Sequence, residues 1–161
     1  MEHWSDFFVG ELGAAATLAG LLFVSVSVNQ SRILELGRMA DRGMEALLIL
    51  LLTLIVASLG LVPEQSLRLL GGEIAIISIL MLAVTVALQR GYLRQTEMAY
   101  RWSTRVMIAV SRFAVALIAL AGLLLVWRGD TSGLYLLVPG ILLCFFAAGA
   151  NAWVLLIEIR R

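Results

Sequence analysis

The chain has 161 residues, of which 61% are hydrophobic and 14% are charged, and its net charge is +1. Soluble domains average about 45–50% apolar and about 25% charged residues, so a water-soluble fold of this size could not bury the apolar surface. The single cysteine and the single histidine exclude a disulfide framework, a zinc cluster and a Cys/His catalytic pair within one subunit.

Five apolar segments follow one another along the chain, and each is long enough for the roughly 17–25 residues that a membrane-spanning helix needs. They predict an all-α integral membrane protein with one transmembrane domain and spans at about 7–28, 46–62, 72–88, 106–127 and 134–157. Pro63 ends the second span because proline interrupts a helix. The connections 29–45 and 89–105 lie on one side, and the second is long enough for an amphipathic interfacial helix.

Arginine is distributed unevenly between the two sides of these spans. Nine arginines lie on the side of the C-terminus, Arg68 and Arg128 lie on the other side, and Arg112 lies within a span. Because cytoplasmic loops retain positive charge, this pattern predicts a cytoplasmic C-terminus and, with five spans, an N-terminus outside. All twelve basic residues are arginine, which is typical of a GC-rich bacterial genome. We therefore expect a multi-pass protein of the bacterial inner (cytoplasmic) membrane.

The first span has two contrasting faces. Gly13, Ala16, Thr17 and Gly20 share one face at 100° per residue. Such small residues allow the backbone of another helix to approach closely. We expect this face to pack tightly within the subunit, and a contact between subunits is the alternative.

The opposite face of the first span has an acid near the outer end, an apolar middle and polar groups near the inner end: Glu11, Ala15, Leu18, Leu22, Ser25 and Asn29. Repeated around a symmetry axis, these residues would line a pathway with a cation-attracting ring, a hydrophobic constriction and a polar vestibule. In the alternative interpretation Glu11 reaches the outer headgroups or pairs with Arg68 or Arg128, and the leucines contact lipid or core.

The fourth and fifth spans are predicted to form an antiparallel hairpin that turns at residues 131–132. Positions at equal depth then set Arg112 opposite Asn151 and Arg105 opposite Glu158. An arginine within a membrane needs a partner, and these pairings would supply one. Arg112 could instead belong to a substrate or ion path, since ionisable residues at membrane depth are candidates for function.

The run ELGAAATLAGLLFVSVSVNQSRIL, followed by a leucine-rich span that ends LVPEQS, resembles a group of small bacterial multi-span proteins. Some members of that group carry the label modulator of FtsH protease. The resemblance covers roughly residues 4–70 and implies a bacterial inner-membrane protein, and the protease label transfers no catalytic residue to this chain. The first span is also similar in pattern to the pore helix of Orai calcium channels, although those channels have four spans and begin in the cytoplasm.

We do not expect an enzyme, because the sequence has no Walker loop, no HExxH motif, no Gly-x-Ser-x-Gly motif and no histidine within a span. We also expect no cofactor, no bound metal and no nucleic acid partner. The first-span stripe favours an oligomeric membrane permeation protein, such as a cation-conducting channel whose first span lines the pathway. The alternative is a non-catalytic partner or modulator subunit of a larger inner-membrane complex, for example a membrane protease. The expected partners are the lipid bilayer, further copies of the chain and such a complex.

Overall fold

A computed structural model of the chain describes residues 2–29, 38–95, 98 and 101–159. Across these ranges the regular elements are five long α-helices: α1, Glu2–Val28; α2, Arg38–Gly60; α3, Leu67–Gln95; α4, Arg101–Arg128; and α5, Ser132–Ile159. Each helix contains a stretch that is long and apolar enough to cross a membrane. This confirms the prediction of an all-α protein with five helices of membrane-spanning length.

Helices α2 to α5 form a closed ring. Helix α2 packs against α3, α3 against α4, α4 against α5, and α5 packs back against α2. Helix α1 lies outside the ring and packs against α2. Only 17% of its most apolar stretch is buried, compared with 33–50% in the other four helices. Helix α1 is therefore peripheral, and most of its surface is left to lipid or to another protein.

The two ends of the ring differ in the length of their loops and in the polarity of the interior. We call the end with the loops 61–66 and 129–131 the short-loop end, and the opposite end, where α2 and α4 begin, the polar end. Towards the short-loop end the interior consists of fully buried aliphatic side chains, including Leu70, Ile74, Ile118, Leu125, Leu134, Leu137 and Ile141.

Three helices extend further towards the polar end than the spans predicted from the apolar segments. Helix α2 begins at Arg38 rather than near 46, α3 continues to Gln95 rather than ending near 88, and α4 begins at Arg101 rather than near 106. In the described part of the segment 89–105, residues 89–95 continue α3 and residues 101–105 begin α4, so these residues belong to the two long helices and not to a separate interfacial helix. The extra turns carry polar side chains that point into the ring.

Two glycines bring α3 and α4 into backbone contact near the short-loop end. A Cβ atom on Gly71 would lie 2.6 Å from the carbonyl oxygen of Gly122, and one on Gly122 would lie 2.7 Å from the amide nitrogen of Ala75. Only glycine fits at these positions without a shift of the backbone. Because lipid removes the hydrophobic drive for helix association, such close packing is a main source of attraction between the helices.

The turn between α4 and α5 is built from three residues, 129–131, which overlap the turn predicted at 131–132. Gly129 has a φ of 67°, and its amide donates to the carbonyl oxygen of Leu125 at 2.9 Å, as at many helix C-termini. Asp130 Oδ1 accepts hydrogen bonds from the hydroxyl and the amide of Ser132. These two bonds, the hydroxyl bond first, lower the pKa of Asp130 below its usual value. The predicted helical hairpin is thus held by a short, well-capped turn.

The crossing of α3 and α4 predicts the effect of one substitution. Gly71→Val should lower the free energy of unfolding in detergent by about 1–3 kcal/mol, the usual cost of overpacking. Gly72→Val is the matched control, because nothing lies within 4 Å of a Cβ atom at that position. Thermal unfolding followed by circular dichroism measures both variants, and an unchanged midpoint for Gly71→Val would contradict the close crossing.

Candidate functional site

The interior of the ring changes from apolar to polar towards the polar end. The buried polar and charged side chains in that half are Arg42, Glu45, Thr85, Gln89, Thr104, Ser111 and Asn151. All of them lie within helix stretches that are apolar and long enough to cross a membrane. Ionisable groups at this depth are costly and need partners within the protein.

Gln89 of α3 links two ionisable side chains on neighbouring helices. Its Nε2 atom donates to Glu45 Oε1 of α2 at 2.7 Å, and its Oε1 atom accepts from Arg112 Nε of α4 at 2.7 Å. Glu45 and Gln89 are both fully buried. The amide can satisfy both neighbours only in this orientation, since its nitrogen donates and its oxygen accepts. A carboxylate and a guanidinium are therefore connected through one neutral side chain.

Arg42 makes a second link between helices in the same region. Its Nη2 atom donates to Thr104 Oγ1 at 2.7 Å, which joins α2 to α4. The exposed fraction is 9% for Arg42 and 3% for Thr104. We call Arg42, Glu45, Gln89, Thr104 and Arg112 the buried polar network. It connects three of the four helices of the ring.

The buried polar network lies towards the polar end of the membrane-spanning region. Arg112 is about 24 Å along α4 from Arg128, the residue that ends the helix at the short-loop end, at 1.5 Å per residue. Because the hydrocarbon core is about 30 Å thick, the guanidinium of Arg112 lies in the half of the membrane nearer the polar end. Removing one partner of a buried ionic group leaves the other uncompensated, which typically costs about 3–5 kcal/mol.

Several hydroxyl groups of the ring are satisfied within their own helices. Thr53, Thr85 and Ser111 each donate to the carbonyl oxygen four residues earlier, at 2.9–3.2 Å. Ser78 is different, because its buried Oγ atom has no hydrogen-bond partner among the described residues. The bonds that join different helices are therefore concentrated in the buried polar network.

Arg112 has a partner that the spacing of the last two spans did not predict. Its Nε atom binds Gln89, and no hydrogen bond to Asn151 is present among the described side chains, although Asn151 is buried on α5. Arg105 is exposed, and the side chain of Glu158 lies outside the described residues. The need of Arg112 for a polar partner was predictable, but the helix that supplies it was not.

Glu45 and Gln89 were missed by the sequence analysis because each lies one residue outside a predicted apolar span. A helical signal for them does exist. Glu45 lies four residues before Ile49, and Gln89 lies four residues after Thr85, so each continues a buried face at the spacing of one helical turn. Extending the interior face of each span by one turn would have found both residues.

The small-residue face of α1 points away from the subunit. Gly13, Ala16, Thr17 and Gly20 are all exposed, and nothing lies within 4 Å of a Cβ atom at either glycine. The expectation that this face packs tightly within the subunit is therefore wrong. Its alternative, a contact between subunits, stays a prediction.

The stripe of α1 that was predicted to line a pathway turns towards the ring instead. Ala15 and Leu22 are buried, with exposed fractions of 0% and 6%, whereas Leu18 is 42% exposed. Ser25 and Asn29 are half-buried, and Asn29 Nδ2 donates to the carbonyl oxygen of Ser25 at 2.8 Å. The stripe is consequently not an open surface that a symmetry axis could use without moving α1.

Glu11, the first residue of that stripe, is half-buried. Its Oε2 atom is buried and has no hydrogen-bond partner among the described residues. Arg68, one of the partners considered for it, lies beside α4 rather than α1. There it borders an open groove of about 640 Å³ that is lined by Arg68, Leu120, Leu123, Leu124, Val126 and Trp127.

Within the described ranges, no group of three or more His, Cys, Asp or Glu side chains is arranged to hold a metal ion. Cys144 is free and buried on α5. The arrangement that carries chemistry is therefore the buried polar network, with Glu11 as a separate carboxyl group. It can hold helices together, and it can present charge inside a membrane.

The ring of helices α2 to α5 and the peripheral helix α1, all long and apolar enough to cross a membrane, define a multi-pass α-helical membrane protein. No family model, no curated protein and no solved structure matches the chain.

The buried polar network predicts coupling between Gln89 and Arg112. Gln89→Leu should lower the free energy of unfolding by about 1–3 kcal/mol, because Glu45 and Arg112 lose their shared partner. Arg112→Leu should then cost less in the Gln89→Leu background than in the wild type, since residues of one network are not additive. Chemical unfolding in detergent measures the four proteins of this cycle.

Arg105→Leu is the matched control for that cycle, because Arg105 is an exposed arginine on the same helix. Arg105→Leu should change the free energy of unfolding by the same amount in the wild type and in the Gln89→Leu background. Additive effects of the substitutions at Gln89 and Arg112 would show that the hydrogen bond between these two residues does not stabilise the fold.

Proposed function

We propose that this protein is a non-catalytic membrane subunit that assembles with further copies of itself through the open face of α1. The observation that carries the proposal is the outward position of Gly13, Ala16, Thr17 and Gly20 on a peripheral helix. Space is open at both glycines, so the backbone of another helix could approach them directly.

The chemistry of this face supports contact with a helix rather than with lipid alone. Large apolar side chains cover a lipid-facing helix as well as small ones do, so lipid contact gives no reason for a glycine-rich surface. Gly13 with Thr17 and Ala16 with Gly20 have the four-residue spacing of small residues that is enriched where membrane helices meet. The Thr17 hydroxyl donates to the carbonyl oxygen of Gly13 at 2.8 Å, so it would bring no unsatisfied donor into the contact.

A second copy of the chain is the partner that fits this surface most simply. Copies that are inserted in the same direction have parallel α1 helices, and a two-fold axis along the membrane normal then sets the face against itself. The opposite side of α1 is already occupied, because Phe8 lies against Gly60 of α2 and Trp4 contacts Tyr135 of α5 with ring centroids 5.0 Å apart. Association through the small-residue face would leave the ring intact.

Gly20→Leu should weaken self-association in liposomes by about tenfold in the association constant, which corresponds to about 1.4 kcal/mol. The added side chain would hold two α1 backbones apart. Gly149→Leu is the matched control, since Gly149 is also exposed, on α5, and has nothing within 4 Å of its Cβ position. Energy transfer between separately labelled copies, measured over a range of protein-to-lipid ratios, gives the association constants.

A wild-type protein that stays monomeric at every ratio would overturn the proposal, and so would equal effects of the two substitutions. A stoichiometric complex with a different membrane protein that depends on Gly20 would instead favour the modulator interpretation. The two kinds of assembly are therefore separated by the identity of the partner, not by the surface used.

We also propose that the protein lies in the bacterial inner membrane with its N-terminus outside and its C-terminus in the cytoplasm. If all five helices cross the membrane, the two termini lie on opposite sides. The excess of arginine on the side of the C-terminus supports this direction. In this orientation the buried polar network lies in the cytoplasmic half of the membrane.

Permeation is a second candidate function, and the buried polar network is the observation that favours it. Ionisable side chains inside a membrane often mark a path for ions or protons. The path would enter the ring at the polar end rather than follow α1, because Ala15 and Leu22 face inward from that helix.

Permeation predicts that reconstituted protein admits cations or protons faster than empty liposomes do, and that Glu45→Gln lowers this rate. The substitution keeps the shape of the side chain and removes its charge from the buried polar network. Leu18→Ser, at an exposed position of α1, should leave the rate unchanged. Fluorescent flux assays measure the rate of cation or proton entry into the liposomes. A wild-type rate equal to that of empty liposomes would exclude permeation.

A further inference from the structure

We propose that Glu11 is a proton-binding site whose carboxyl group is held in its protonated form between α1 and the ring. This inference goes beyond the proposed function, because it depends neither on self-association nor on permeation. It rests on the burial of the Oε2 atom of this half-buried side chain, on its position along α1 and on the side chains that face it.

The carboxyl group of Glu11 has an oxygen atom that neither solvent nor another polar group reaches. Oε2 is buried and has no hydrogen-bond partner among the described residues. One turn away along α1, Phe7 and Phe8 on one side and Ala15 on the other are apolar. A carboxylate ion in such surroundings is much less favourable than the neutral acid, so the group binds a proton instead.

Aromatic rings separate Glu11 from the short-loop end of the molecule. The ring centroids of Trp4 lie 5.6 Å from those of Phe7 and 5.0 Å from those of Tyr135, both in edge-to-face arrangements. Glu11 lies about 13 Å along α1 from the first residue of the helix, at 1.5 Å per residue. The carboxyl group is therefore deeper than the aromatic cluster, within the stretch Trp4–Val28 that could span a membrane.

The helices packed against α1 bring no cation to Glu11. Residues 46–63, which include the facing part of α2, contain no ionisable side chain. On α5 the ionisable groups of the described side chains are the phenol of Tyr135, within the aromatic cluster, and the thiol of Cys144, buried in the ring. On α1 itself, Asp6 is exposed and is another acid. Neutralisation by a proton is what remains for a carboxyl group in this position.

The same geometry selects a proton over a metal cation. A calcium or magnesium ion needs about six oxygen ligands, whereas a proton needs one. No group of three or more His, Cys, Asp or Glu side chains comes together in the part of the chain that the structure describes. Release of the proton would leave an uncompensated charge in the contact between α1 and α2.

Reaction with a hydrophobic carbodiimide tests this directly. Dicyclohexylcarbodiimide partitions into the membrane, and a protonated carboxyl group adds across one of its C=N bonds and rearranges to a stable N-acylurea without loss of any atom. Wild-type protein in liposomes should acquire this adduct on the peptide that contains Glu11, and Glu11→Gln should lose it. The yield should fall as the pH rises, because the ionised group does not react.

A water-soluble carbodiimide with an added amine provides the opposite control. It should modify Glu64, an exposed acid in the short loop 61–66, and leave Glu11 unmodified. Infrared spectra should show a carboxylic acid C=O band that is present in the wild type and absent in Glu11→Gln. Lack of the hydrophobic adduct on Glu11, or preferential reaction of Glu11 with the water-soluble reagent, would overturn the proposal.

Discussion

The need of a buried charge for a partner, in a medium that contains no water, governs the polar half of this structure. Glu45 and Arg112 lie on different helices, and Gln89 stands between them with a donor for one and an acceptor for the other. Each helix can keep its charged residue inside the membrane only if the helix with the matching group is in place. The hydrogen bonds of Glu45, Gln89 and Arg112 therefore fix the relative positions of α2, α3 and α4. The bond from Arg42 to Thr104 adds a second connection, between α2 and α4.

The other half of the ring is held by a different kind of interaction. There helices α3 and α4 meet through the backbone at Gly71 and Gly122. Helix α1 takes part in neither arrangement and is attached through Phe8, which lies against Gly60, and through the aromatic contacts of Trp4. This division explains why α1 is the least buried helix and why its glycine-rich face remains available for another molecule.

The number and type of the helices could be predicted because the length of an apolar run is a direct property of the sequence. The buried polar network could not be predicted in the same way, since an apolar segment ends where polar residues begin. Glu45 and Gln89 are tolerated inside the ring because they bind each other there, and hydropathy does not detect such a pairing. Periodicity showed that α1 has two different faces. It could not show which face turns inward, because small and apolar side chains suit contact with a helix of the same subunit, with another subunit or with lipid. The partner of Arg112 depends on which helices are neighbours in the ring, and sequence spacing within one hairpin does not contain that information.

Glu45, which is fully buried, and Glu11, which is half-buried, show how the same constraint produces two outcomes. Glu45 receives a hydrogen bond from Gln89, whose other end holds a guanidinium, so a charge on Glu45 is compensated. The Oε2 atom of Glu11 has no partner among the described residues, so a charge there is not compensated. An ion that entered the ring from the polar end would pass Glu45 and then meet the aliphatic core around Ile74, Ile118 and Ile141. Permeation through the ring therefore requires that core to open, whereas association through α1 requires no change in the ring, and this difference is the physical reason for ranking assembly above permeation.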